Sequence, residues 1–113
     1  MDEFRQKSID YRMQEAKRLA YKYPDRVPVV IKAGNKNTPN TEHFKYLVPK
    51  TQTIGDFIGV IRRKTSIKSY QALFVFVNGV LPPMSSTMLN VHAEHHEEDG
   101  FLYITYSLEN TFG

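Results

Sequence analysis

The order of local signals predicts an α+β domain of the β-grasp type, carrying two additional helices at its N-terminus. Three observations point there. Apolar residues recur at intervals of three and four over residues 10–23. Two β-rich segments precede a well-capped helix at residues 53–65, and two more follow it, at 72–77 and 101–107. Only a polar loop separates the first two strands, which argues against a ferredoxin-like sandwich, because that fold needs a helix there.

Each element has its own signal. A short helical turn over Asp2 to Lys7 has Phe4 as its one obvious anchor. In the next helix Ile9, Met13, Ala16, Leu19, Ala20 and Tyr23 share a face, Ser8 or Asp10 caps the start, and Pro24 ends it. Val27 to Ile31 is a strand whose Pro28 belongs at a strand start or edge. Gly34 to Thr41 is a loop, and Phe44 to Val48 is a second strand stopped by Pro49. Thr53 and Asp56 have the spacing of a capping box, and Ile54, Phe57, Ile58 and Ile61 give the helix that follows its apolar face. Ala72 to Val77 reads as a central strand buried on both faces, Asn78-Gly79 as a tight turn, and Val80-Leu81 as a very short return. Ser86 is placed to cap a helix from Thr87 to about His95, and Phe101 to Ser107 is the last strand. The apolar Val29-Val30-Ile31 and Leu102-Ile104 runs fit a first and a last strand lying parallel in the middle of a sheet curled around residues 53–65. The 113 residues thus form a single domain, divided into a helical part at 1–26, a core at 27–107 and a tail at 108–113.

Composition narrows the chemistry. The absence of cysteine excludes a disulfide, a thiol nucleophile and a cysteine-ligated zinc site. No signal peptide is expected from the charged first residues, and no stretch approaches the roughly 18 apolar residues of a membrane span. Residues 1–26 carry seven basic and five acidic groups, residues 27–68 eight and two, and residues 69–113 none and five. A basic middle suggests an acidic partner or an anionic surface, while the acidic last third argues against nucleic acid. The cluster Glu94-His95-His96-Glu97-Glu98-Asp99 has the right elements for a metal or acid-base site. Consecutive residues diverge around a helix end, however, so it reads as a solvated helix terminus and turn. With no phosphate-cradling glycine loop and no nucleophile arrangement, an enzyme is not expected. Gly113, which has no Cβ, is suited to threading a narrow slot and presenting a carboxylate to another protein's chemistry.

Two proline-flanked strings carry a family resemblance: Lys22-Tyr23-Pro24-Asp25-Arg26-Val27-Pro28-Val29 and Lys45-Tyr46-Leu47-Val48-Pro49. Phe76-Val77-Asn78, Pro82-Pro83, Glu94 to Asp99 and Phe101-Leu102-Tyr103-Ile104 extend it. From about Ile9 to Gly113 the chain resembles the autophagy-related ubiquitin-like proteins, which include the light-chain-3 and GABA-receptor-associated groups, the latter being nearer. The resemblance implies a ubiquitin-like β-grasp fold and a modifier conjugated through Gly113 to phosphatidylethanolamine, with no cofactor and no metal of its own. Activating and conjugating enzymes and a processing cysteine protease are the implied partners, with Phe74, Phe76 and Phe112 as their contacts. It also implies a cytoplasmic protein that moves to the autophagosomal membrane when lipidated.

A peptide groove is implied as well, taking cargo receptors and adaptors through an aromatic-x-x-aliphatic motif added to the Tyr46-Leu47-Val48 strand. Its aromatic pocket would comprise Glu15, Leu19, Pro28, Val30, Lys45, Leu47 and Phe101, and its aliphatic pocket Tyr46, Val48, Pro49, Ile54, Phe57, Val60 and Ile61. Arg26, Arg62 and Lys64, with Lys45, would meet acidic flanks. Leu19, Val30, Ile54 and Ile61 also read as plain core, and Lys45 as an edge-strand gatekeeper. Departures from the family pattern are Gln52 for a usual leucine, Val30 for isoleucine, His43 for lysine, an unexpected Phe44, and the loop at 34–41. The alternative function is an unconjugated adaptor in vesicle traffic or microtubule association that uses the same groove.

Overall fold

A computed structural model describes residues 2–108. Phe112, Gly113 and most of the predicted tail lie outside the described residues. In chain order the elements are α1 (Asp2–Gln6), α2 (Ile9–Lys22), β1 (Arg26–Ala33), β2 (Lys45–Pro49), α3 (Ile54–Arg63), β3 (Phe74–Phe76), α4 (Met88–His95) and β4 (Leu102–Ser107). One mixed sheet has the order β2-β1-β4-β3. As expected, β1 and β4 are parallel and central, with Val29 opposite Leu102 and Ile31 opposite Ile104. This is the β-grasp arrangement.

Local chemistry fixes the ends. Ser8, rather than Asp10, caps α2 by accepting the Tyr11 N–H. Both bonds of the capping box form at α3: Asp56 N–H to Thr53 Oγ1 and Thr53 N–H to Asp56 Oδ2, each 3.1 Å. Thr87 caps α4 by accepting the Asn90 N–H, so the expected cap at Ser86 is off by one residue. Asn78 (φ 52°) and Gly79 (φ 76°) form the predicted tight turn, closed by paired Val77–Val80 hydrogen bonds of 2.9 and 3.0 Å. Beyond that bridge, Val80 and Leu81 form no return strand.

One strand differs in position. The apolar run at 72–77 supplies only a three-residue ladder, and it lies at the sheet's edge rather than its centre. The physical reason is that β1 and β4 already occupy both middle places, so β3 can pair on one side only.

Period-two alternation sends β1 side chains to two separate cores. Val27, Val29 and Ile31 join Ile54, Phe57 and Ile61 of α3 in the larger one. Val30 faces the other way, into a smaller cluster with Phe4, Ala16, Leu19 and Phe101 beneath α1 and α2. The N-terminal helices are also fastened by charge. Arg12 Nη1 lies 2.8 Å from Asp99 Oδ2, and the Asp99 side chain is fully buried. Asp99 also accepts the Phe101 N–H at 2.9 Å and the Tyr103 hydroxyl. Burial first, then that hydroxyl bond, push the Tyr103 phenol up to about 12. Arg5 stacks 3.6 Å above the Tyr103 ring and makes a two-pronged pair with Glu97 at 2.6 and 2.8 Å. The acidic stretch read as a solvated terminus is therefore corrected at Asp99, whose charged partner Arg12 is too distant in sequence to be foreseen. Gly100 (φ +89°) completes the docking, since a Cβ there would stand 3.0 Å from the Ala16 Cβ.

Two predictions follow from this frame. Asp99→Ala leaves Arg12 without its carboxylate and should lower unfolding free energy by about 3 kcal/mol in urea titrations. Glu97→Ala removes a more exposed pair and should cost about 1 kcal/mol at most. The second prediction concerns His92, whose Nε2 lies 2.8 Å from the Gly100 carbonyl and whose affinity for a second proton is lowered chiefly by burial. Its folded-state pKa is thus below the ordinary value of 6.5, and the unfolded chain takes up that proton first. Stability is full above that ordinary value and is lost as pH falls through the lower folded one. Thermal melting followed from about pH 7.5 to about 5 should show a steeper decline for the parent protein than for His92→Gln.

Candidate peptide-binding groove

Because β2 is the outermost strand, one of its two edges has no partner strand among the described residues. The register then decides which side chains flank that edge. Val48 opposite Val27, and Tyr46 opposite Val29, face α3. Leu47 opposite Pro28, and Lys45 opposite Val30, face α2. The alternation thus separates Tyr46 and Val48 from Lys45 and Leu47.

On the α2 side an open cleft of about 420 Å³ is lined by Glu15, Arg18, Leu19, His43, Lys45, Tyr46 and Leu47. It brings together four of the residues assigned to an aromatic pocket: Glu15, Leu19, Lys45 and Leu47. Val30 and Phe101 are 1% and 0% exposed, so they form a floor beneath the cleft rather than its lining. Pro28 is buried too and lines a different cleft on the far flank of α2. The cleft wall is electrically tied. Glu15 accepts from Arg18 at 2.7 Å and from Lys45 Nζ at 3.3 Å, and these bonds, Arg18's first, hold its carboxyl below the usual range.

Sequence reasoning missed two contributors. Arg18 stands three residues from Glu15, a helical ion-pair spacing that could have disclosed it. Phe4 packs edge-on against Phe101 at 5.0 Å and tilted against Phe44 at 6.1 Å, while Lys45 Nζ stands 5.2 Å from its ring. The unexpected Phe44 thus has a partner in α1. Nothing local in the sequence signals that contact.

On the α3 side Tyr46 and Val60 are partly exposed, as is Pro49 at the end of β2. Tyr46 meets Phe57 edge-on at 6.4 Å. Ile54, Phe57 and Ile61 are each 1% exposed and Val48 is 3% exposed, so they form the floor of this half. Among the expected flank cations, Arg26 donates to the Leu47 carbonyl at 3.1 Å and so reaches β2. Arg62 instead donates to the carbonyls of Lys68 and Gln71, bracing the segment after α3, and exposed Lys64 caps that helix. Of the three phenylalanines expected to meet enzymes, Phe74 is partly exposed, Phe76 is 6% exposed and therefore offers little surface, and Phe112 is not described.

A mixed four-stranded sheet around α3, with two helices docked on its outer face, defines a ubiquitin-like protein. The comparisons specify which kind. Residues 11–113 match the family model "Autophagy protein Atg8 ubiquitin like". Autophagy-related protein 8a of Arabidopsis thaliana is 47% identical over 106 residues, covering 93% of this chain and 87% of the relative. Autophagy-related protein 8 of Mycosarcoma maydis is 46% identical over 107 residues, covering 94% and 91%. The crystal structure of Trypanosoma brucei ATG8 superposes with a TM-score of 0.88 at 33% identity, covering 96% of this chain and 94% of that one. The chain belongs to the Atg8 family of autophagy ubiquitin-like proteins.

The dependence of the cleft on α1 is testable. Phe4→Ala empties a buried aromatic site and should destabilise the domain by about 3 kcal/mol. In amide spectra the shifts should reach Lys45 and Leu47 but leave Asp56, at the start of α3, near its parent position.

Proposed function

We propose that this protein is a modifier that is conjugated through Gly113 to phosphatidylethanolamine and that recruits cargo receptors through the β2 groove. The observation that carries the receptor half is the free edge of β2, flanked by a side-chain cleft on its α2 side. A peptide adding a strand there gains backbone hydrogen bonds from β2, while alternate side chains drop toward α2 and α3. An aromatic residue would enter between Leu19, Lys45 and Leu47 over Val30 and Phe101. An aliphatic one would sit against Tyr46, Val48, Pro49 and Val60. Acidic flanks would meet Lys45 and Arg26, chiefly raising the association rate and its salt dependence.

The conjugation half rests on family membership and on Gly113. In that chemistry the glycine carboxylate is adenylated with release of pyrophosphate from ATP. The activating enzyme's thiol displaces AMP to form a thioester, the conjugating enzyme's thiol takes over the acyl group, and the lipid amine displaces that thiol to leave an amide. Every nucleophile belongs to a partner, so a chain without cysteine suffices. Two acyl chains on one lipid hold a soluble domain on a bilayer, whereas one binds only marginally. Among the described residues no helix is long and apolar enough to cross a membrane, so attachment through a lipid supplies what the fold does not. The working places are then the cytoplasm and, after conjugation, the autophagosomal membrane.

Two measurements test the reading. Titration of labelled protein with an acidic-flanked Trp-x-x-Leu peptide should give saturable shifts at Lys45 to Val48. Leu47→Ala should weaken binding by about 2 kcal/mol, roughly thirtyfold. No shift with the parent protein would remove the receptor half. Gly113→Ala should abolish membrane association in cells. Unchanged association would favour the unconjugated adaptor instead.

A further inference from the structure

A second, larger cleft of about 560 Å³ lies on the opposite flank of α2 from the groove. Helical spacing explains the separation. Glu15, Arg18 and Leu19 line the groove side, whereas Met13, Lys17 and Ala20 line the other. Leu89 of α4 contributes the facing wall and Pro28 of β1 part of the floor. The two clefts share no lining residue, so α2 is a partition with a different surface on each side.

Charge around this second cleft is one-sided. Lys17, Arg26 and Lys50 all line it, and among the described residues none of them forms an ion pair. Arg26 donates to the Leu47 carbonyl, a neutral acceptor that leaves its charge uncompensated. Two carboxylates also line the cleft, but Asp99 is already held by Arg12, the Tyr103 hydroxyl and the Phe101 N–H. Glu98 alone remains to oppose three cations. Its volume falls within the range of ligand-binding clefts, enough for several side chains of a short segment.

We propose that this cleft binds a short acidic segment of a partner protein. An aliphatic side chain rests against Met13, Ala20 and Leu89 while flanking carboxylates meet Lys17 and Lys50, leaving Arg26 to a receptor on β2. Charge complementarity selects this occupant. A lipid chain would need an enclosed tunnel to hide its length, and this cleft is open along one side. A nucleic acid would run its phosphates into the adjoining acidic stretch from Glu94 to Glu98. Because no lining is shared, a partner here and a receptor on β2 can be held together, one on each side of α2.

The test uses the full chain carrying Leu47→Ala, which disables the β2 groove. A random phage-displayed peptide library is panned on it, and the most enriched peptide is titrated into labelled protein. Enriched sequences should combine carboxylates with aliphatic residues and shift the amides of Met13, Lys17, Ala20 and Leu89. Lys17→Glu with Lys50→Glu should weaken that peptide by about tenfold or more, and binding to the parent should weaken with added salt. Both lysines lie on the surface, and an unchanged spread of amide signals verifies that the double variant is folded. The proposal is overturned by no enrichment, by enriched peptides without acidic bias, by shifts confined to β2, or by affinity that survives the double charge reversal. Failure of the receptor groove is read separately, from the Trp-x-x-Leu titration of the parent protein.

Discussion

The parallel pairing of β1 with β4 is the constraint from which the remaining geometry follows. With those two strands in the middle, β2 and β3 can only be edges. The edge at β2 is then open to an incoming strand, and the register against β1 divides its side chains between two faces. The same pairing aligns Val30 with Tyr103 and so puts the smaller core beneath α1 and α2. Site and scaffold are consequences of one strand order, to which the loop before β2 adds His43.

What turns that edge into a shaped site is the docking of α2. Apolar contact through Ala16 and Leu19 is modest, and the polar contacts set the position. Arg12 reaches a buried carboxylate, Arg5 is clasped by Glu97 above an aromatic ring, and Gly100 allows the close approach of Ala16. Pairing such a carboxylate adds little net stability, but separating it from Arg12 would strand a buried charge, which ties α2 to the placement that keeps them together. The two clefts inherit their walls from that placement.

How far the sequence disclosed this depends on the range of the interaction involved. Capping of α3 by Thr53 and Asp56, and the Asn78-Gly79 turn, were legible because their partners lie within a few residues. The central parallel pair was legible from apolar runs, since strands buried on both faces have few polar positions. The same rule misplaced Phe74–Phe76, because an edge strand can be buried on both faces too, as Val75 and Phe76 are. The role of Asp99 was hidden: Arg12 lies 87 residues away, and in sequence the carboxylate is the last of three consecutive acids with Glu94 close by. At the groove, alternation along β2 gave the division into faces, and family resemblance gave the pocket membership. That Val30 and Phe101 are floor and that Pro28 looks into another cleft required the fold.

The long span between β1 and β4 also bears on the life of the chain before it is native. Val29 waits for Leu102, roughly seventy residues later, and closing so large a loop is slow compared with local helix formation. Until then β1 is an apolar ribbon with an unfilled side, the kind of segment through which unfinished chains adhere to one another. Its own sequence moderates the hazard. Pro28 withholds one amide hydrogen from any intruding neighbour, and exposed cations at both ends, Arg26 and Lys32, repel a second copy laid alongside in register. Residues that look incidental in the finished sheet thus guard the interval in which it is still missing its middle.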